Sequence, residues 1–240
     1  MSRSHPNVNA PNPAVRWFEW NGEHGTVRYY DKGTKKNVDV PLPFTFLLLD
    51  ELASVRGWDD ASESGIYSNE VRDTTKDVLV VKTFKGGTIA EGFYKAIKDL
   101  VKSRGASFVA NCYVAVKLDT GLSICSLRFK GSALGAWMEF RKAHRGGLYD
   151  QAVQITGYTE GKKGRITFRM PTFALQPVSE ETNKQALALD KTLQAFMEAY
   201  LQRKTRDQAD DPDERGEYVE GERPADVDHS APLTDDDIPF

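Results

Sequence analysis

Between residues 15 and 175 the chain alternates apolar and polar residues with a period of two, which predicts strands at 15–20, 26–31, 38–49, 78–84, 108–118, 122–130, 153–158 and 165–175. The first two flank Asn21-Gly22-Glu23-His24-Gly25, a turn-rich link that reads as a hairpin. Three stretches follow the helical period instead. Thr88–Ser103 carries Ile89, Phe93, Ile97, Leu100 and Val101 on one face, with Thr88 placed to cap it and Gly105 just beyond its end. Ser132–Arg145 follows Gly131. A third helix, from Glu180 to Arg203, repeats Leu189, Leu193, Phe196, Met197, Tyr200 and Leu201 at spacings of three and four, as expected of a helix packed on the body. Many short strands, a few helices and no regular β-α-β order predict a mainly β or α+β fold.

The strand phases divide chemistry between two faces. In 108–117 the residues Phe108, Ala110, Cys112, Val114 and Val116 form an apolar face, leaving Asn111, Tyr113 and Lys117 on the other. Cys125, Leu127 and Phe129 of the next strand point one way and Arg128 and Lys130 the other. Lys82 and Phe84 lie opposite Leu79 and Val81, followed by Lys85, while Arg165 and Arg169 lie opposite Ile166, Phe168 and Met170. Tyr158 alternates with Val153 and Ile155. A polar loop at 57–71, entered from Arg56, carries Trp58 and Tyr67 and has the character of a groove edge. Gly161-Lys162-Lys163-Gly164-Arg165 lacks the spacing of a phosphate-wrapping loop and reads as a basic hairpin tip. Cations that follow phosphates, beside aromatic rings on which bases stack, are what non-specific single-strand binding requires.

Charge sharpens this picture. The formal net charge is -3, but residues 205–240 hold 13 acids against Arg206, Arg215 and Arg223, about -10, which leaves about +7 on residues 1–204. From Lys82 to Arg169 there are 16 basic and 6 acidic residues. The acidic segment has few large apolar residues and contains Pro212, Pro224, Pro232 and Pro239, so a disordered tail is expected. Residues 1–13 read as a flexible arm and 14–204 as one folded domain. No stretch approaches 18 apolar residues and no apolar leader stands at the start, so neither membrane insertion nor export is expected; the expected setting is the cytoplasm. Cys112 and Cys125 lie in apolar strand patterns as reduced core thiols. His5, His24, His144 and His229 are scattered, and the pairs Asp50-Glu51 and Asp59-Asp60 point to opposite faces or sit in turns, so no metal, cofactor or catalytic centre is expected.

The chain ends Asp235-Asp236-Asp237-Ile238-Pro239-Phe240: an apolar hook with a free carboxylate behind three acids. Ile238 and Phe240 offer apolar area, Pro239 restricts the chain, and the terminal carboxylate suits an arginine. This hexapeptide resembles the C-terminal tip of the bacterial single-stranded DNA-binding proteins, a resemblance that implies recruitment of replication, recombination and repair enzymes. The body is similar to single-stranded DNA-binding proteins of tailed bacteriophages at Pro43–Trp58, Ser64–Val71 and Ser126–Phe140. It departs from the bacterial family in its longer body and in lacking a Gly- or Gln-rich linker, so tetrameric assembly is not implied. Together the two resemblances imply an elaborated OB-fold barrel in a bacterial host, with single-stranded DNA as ligand and duplex as a weaker one. The expected DNA-binding residues are those of the polar faces, loop and hairpin tip named above. The alternative is a decoy whose tail engages host partners while its body binds no DNA.

Overall fold

In the computed structural model, which describes residues 11–203, the chain forms eleven strands and three helices. In chain order these are β1 (Trp17–Asn21), β2 (Thr26–Asp31), β3 (Lys36–Val40), β4 (Phe44–Asp59), β5 (Ser64–Ser68), β6 (Leu79–Thr83), β7 (Thr88–Gly92), α1 (Tyr94–Ser103), β8 (Ala106–Leu118), β9 (Gly121–Lys130), α2 (Gly131–Ala143), β10 (Ala152–Lys163), β11 (Ile166–Gln176) and α3 (Glu180–Leu201). Nine strands pair in the order β3-β2-β1-β9-β8-β4-β5-β6-β7, and β10 pairs with both β11 and β4. Only β1 and β9 run parallel among these pairs.

The long β4 organises the fold. It pairs with β10 at Phe44–Phe46, with β8 from Leu47 to Gly57 and with β5 at Gly57–Asp59, and a register shift between Leu48 and Asp50 bends it between partners. Its inner face joins Phe18 and Trp20 of β1, Cys112 and Val114 of β8, Leu127 and Phe129 of β9, and Val153 and Ile155 of β10 in one core. α2 lies under that core. Trp137, fully buried, stacks on Phe129 at 5.3 Å and donates from Nε1 to Glu51 at 2.8 Å. The opposite face of β4, β8 and β9 carries a second core, where Leu193, Phe196, Met197 and Tyr200 of α3 cover Leu47, Leu49, Leu52, Tyr113 and Ala115. Ser179 caps α3 by accepting from the Thr182 N–H at 3.2 Å.

Several expected boundaries shift for physical reasons. The strand expected at 38–49 divides into β3 and β4 because Pro41 and Pro43 have no N–H to give a ladder. The helix expected from Thr88 begins at Tyr94: residues 88–92 pair as β7 with β6, gaining a ladder that a first helical turn would forgo. The helix ends as expected, with Gly105 at φ 86 just past it. Much of the loop expected at 57–71 is sheet, since β4 runs to Asp59 and β5 pairs with it. The mainly β class with inserted helices and a C-terminal helix stands. The pairing is nevertheless that of an open sheet and not of a continuous closed ladder. Cys112 and Cys125 are buried free thiols. Burial raises both thiol pKa values, that of Cys125 to about 12, which keeps them protonated. Among the described residues no helix is long and apolar enough to cross a membrane. The acidic segment 205–240, the tip 235–240 and most of the arm 1–13 lie outside the described residues.

Candidate nucleic-acid interface

Register decides which side chains meet. Across the outer face one row runs from Asn111 of β8 to Arg128 of β9, Glu19 of β1 and Arg28 of β2. Along β4 the same face carries Leu52, Ser54, Arg56 and Trp58: Leu52 lies opposite Asn111, and Asn111 Nδ2 donates to Ser54 Oγ at 2.7 Å. Gly65 lies opposite Trp58, and Tyr67 opposite Lys82. Phe84, two residues beyond Lys82, puts its ring 4.8 Å from that of Tyr67, tilted by 33°. Arg56, Trp58, Tyr67, Lys82, Phe84, Asn111, Arg128 and Lys130 thus share one face: the last five by the phases of their expected strands, the first three because the loop expected around them is sheet.

They are not equally accessible. Tyr67 and Arg56 are buried at 4% exposure each, whereas Trp58, Lys82, Phe84, Arg128 and Lys130 are half-buried and Lys85 is exposed. Lys85 Nζ donates to the Glu63 carbonyl at 3.2 Å. Asn111 and Tyr113 are fully enclosed, Tyr113 in the second core beneath α3 with Asn12 at its hydroxyl, and Asn111 beside Ser54. The Tyr113 hydroxyl donates to Glu70 at 2.7 Å and accepts from Asn12 at 2.9 Å, while the Tyr200 hydroxyl accepts from the Glu70 N–H at 2.8 Å. Neither Asn111 nor Tyr113 offers a surface to a base in this arrangement. Lys117 is exposed near the far end of β8, separated from Arg128 and Lys130 by the strip that α3 covers.

The remaining expected residues belong to the β10–β11 hairpin. Lys162, Lys163 and Arg165 are exposed at its tip, where Gly164 takes φ 61 at the first position of a two-residue turn. Nearer its base the Arg169 guanidinium lies 5.3 Å from the centre of the exposed Tyr158 ring and pairs with Glu160 at 3.1 Å. The hairpin leans on the β1–β2 turn: the Arg169 N–H donates to the Gly22 carbonyl at 2.8 Å, and the Arg169 carbonyl accepts from Trp20 Nε1 at 2.8 Å. Gly25, at φ 71, permits this approach, since a Cβ there would stand 2.5 Å from the Tyr158 ring.

Carboxylates temper the face. Burial raises the pKa of Glu19, but the charges of Lys130, Arg28 and Arg128 outweigh it and hold that pKa below the ordinary value. For Glu70 burial wins over the Tyr113 hydrogen bond and the Arg56 and Arg128 charges, so its pKa is raised. Neither glutamate stands out in the sequence. The phase of β1 does put Glu19 opposite Phe18 and Trp20, but nothing local reveals that its parallel neighbour is β9. Asp50 and Glu51 occupy opposite faces, Asp50 held by Arg72 and Gln194 and Glu51 by Trp137 and Arg141. Among the described residues no group of three or more His, Cys, Asp or Glu side chains is placed to hold a metal ion. No protein-family model, curated protein or solved structure matches this chain.

Proposed function

We propose that this protein binds and protects single-stranded DNA and recruits replication, recombination and repair enzymes through residues 235–240. The observation that carries this reading is the gathering of Trp58, Phe84, Lys82, Arg128 and Lys130 on one face of adjoining strands. Half-buried rings supply stacking surfaces and the cations follow phosphates, which together give affinity without sequence choice.

The strand plan supports an elaborated OB barrel. β4, β8 and β9 follow one another as a bent antiparallel sheet, α2 plugs the core between β9 and β10, and β10 returns to the start of β4. β11 reaches the β1–β2 turn through Arg169. OB folds hold oligonucleotides on their second and third strands and on the loops after the first and fourth. The corresponding accessible surfaces here are the Arg128–Lys130 end of β9, the insertion containing Tyr67, Lys82 and Phe84, and the Lys162–Arg165 tip.

No step of chemistry belongs to this reading; the protein holds a strand and carries a bait, in the cytoplasm of a bacterial host and encoded by a phage. Duplex binds more weakly, because phosphate contacts alone discriminate poorly between strands. The acidic segment competes with DNA for the basic face, a proposal motivated by the division into about +7 and -10. Deleting residues 205–240 is then expected to tighten DNA binding at low salt and to matter little at high salt.

Replacing Lys82, Arg128 and Lys130 together by Glu tests the face. Strand affinity should collapse, and the slope of log affinity against log salt should flatten by about 2, at ~0.7 per phosphate contact. A folded triple variant that binds poly(dT) like the parent would instead favour a decoy that engages partners through its tail alone.

A further inference from the structure

The row Asn111, Arg128, Glu19, Arg28 contains one anion among three cations, once Lys130, two residues beyond Arg128, is counted. Arg28 donates from both Nε and Nη2 to the same oxygen, Oε1 of Glu19, each at 2.7 Å. Its side chain is 6% exposed, whereas that of Glu19 is 31% exposed. The carboxylate therefore stands nearer solvent than the guanidinium it holds. On the far side of Arg28, Asp39 of β3 lies opposite in register but is engaged by Thr26 at 3.0 Å and by His24 at 3.4 Å.

We infer that Glu19 sets the strength with which this face holds a nucleic-acid strand, by masking Arg28 and leaving Arg128 and Lys130 as the cations a phosphate meets. The inference rests on the single-strand reading of the face. Three observations support it. The Glu19 carboxylate is drawn toward all three cations at once, and their charges overcome its burial to keep it ionised. Its side chain is nevertheless about a third exposed, so an incoming phosphate would meet like charge there. Other groups facing this neighbourhood are themselves committed: Asn111 donates to Ser54, and Glu70 accepts from Tyr113. A carboxylate in such a position weakens binding and keeps it reversible, because each phosphate neutralised by the protein releases counterions and adds to affinity. One cation withheld is one such contact fewer. A coat that has to be removed ahead of a polymerase gains from that limit.

The test is fluorescence anisotropy with labelled oligo(dT) at several salt concentrations, using the full chain and its Glu19→Gln, Arg28→Gln and Glu19→Gln/Arg28→Gln variants. Glu19→Gln unmasks Arg28 and is expected to bind about fivefold tighter at low salt, roughly the effect of one unit charge near the surface. Its salt slope should steepen by about 0.7. Arg28→Gln leaves the carboxylate without its guanidinium and should bind more weakly with a shallower slope. The double variant restores the parent's cation count and should match the parent. Equal or weaker binding by Glu19→Gln would overturn the inference and make Glu19 a positioning residue for Arg128. If Glu19→Gln does not fold, Arg28→Gln decides, and parent-like or tighter binding by that variant overturns the inference. Failure of the parent to bind oligo(dT) at all would count against the single-strand reading itself, a result distinct from parental binding that Glu19→Gln leaves unchanged.

Discussion

Asp59 and Glu70 show how single side chains at the edge of the proposed groove respond to pH, and in opposite senses. Arg104 hydrogen-bonds Asp59 from Nε at 3.0 Å and Nη2 at 2.9 Å, with Ser62 adding a third donor at 2.6 Å. The Arg104 hydrogen bond first, then Ser62 and the Arg104 charge, overcome burial and lower the Asp59 pKa from 3.8 to about 2. A pKa lowered by folding contributes stability above the unfolded value and loses it as pH falls through the folded one. The stability advantage of the parent over Asp59→Asn, read from thermal melting, should therefore shrink between pH 3.8 and about 2; a constant difference across that window would contradict the assignment. Glu70 behaves conversely. Burial raises its pKa, so its stabilising protonated form is lost as pH rises through that raised value. Glu70→Gln keeps an acceptor for Tyr113 and should remove that loss, giving a flatter profile on the alkaline side.

The sequence was legible at this scale wherever side chains obey strand phase. Lys82, Phe84, Arg128 and Lys130 fall on one face for the reason alternation gives, whereas Arg56, Trp58 and Tyr67, expected in a loop, join it because β4 and β5 extend through that loop. Accessibility was not legible. Tyr113 and Asn111 have the right phase yet are buried; a helix that begins at Glu180 covers Tyr113, and no local pattern says which face such a distant helix will choose. The hairpin could have paired Glu19 with Arg28, but its other two cations, Arg128 and Lys130, come from a parallel strand more than a hundred residues away.

Among the elements, α3 and β4 carry most of the consequences. α3 was readable as an amphipathic helix, and its Leu193, Phe196, Met197 and Tyr200 do pack on the sheet. By covering Tyr113 and Ala115 it narrows the exposed basic face and separates Lys117 from it. Leu193 is fully buried, so Leu193→Ala should cost about 2 to 5 kcal/mol in denaturant unfolding. A loss under 1 kcal/mol would mean that α3 docks only loosely. β4 was harder to read, because its length spans three pairing partners and its bulge interrupts the period. Pro41 and Pro43 mark its start, and β-branched or apolar alternation resumes beyond them, but the continuation to Asp59 depends on β5 and β8 for partners. β7 was lost to the helical pattern for the same reason: Thr88–Gly92 fits either period, and β6 decides.

For the whole molecule the decisive feature is the separation of charge. A body of about +7 presents rings and cations on one face, and a segment of about -10 follows α3. Arg203, the last described residue, lies beside Tyr200, whose hydroxyl meets Glu70 near Arg56 and Arg128. The described residues therefore end close to the basic face with which the acidic segment is proposed to compete.

Trp58 offers the most direct reading of the central claim. Trp20 and Trp137 are buried; Trp17 and Trp58 are both half-buried, Trp17 against the second core and Trp58 on the basic face. Intrinsic fluorescence should be followed as poly(dT), and then duplex, is added to the parent and to Trp58→Phe at two salt concentrations. A single-strand groove on this face predicts strong quenching by poly(dT), weaker quenching by duplex, loss of affinity at high salt, and a much smaller signal in Trp58→Phe. Absence of poly(dT) binding to the parent at low salt would contradict it.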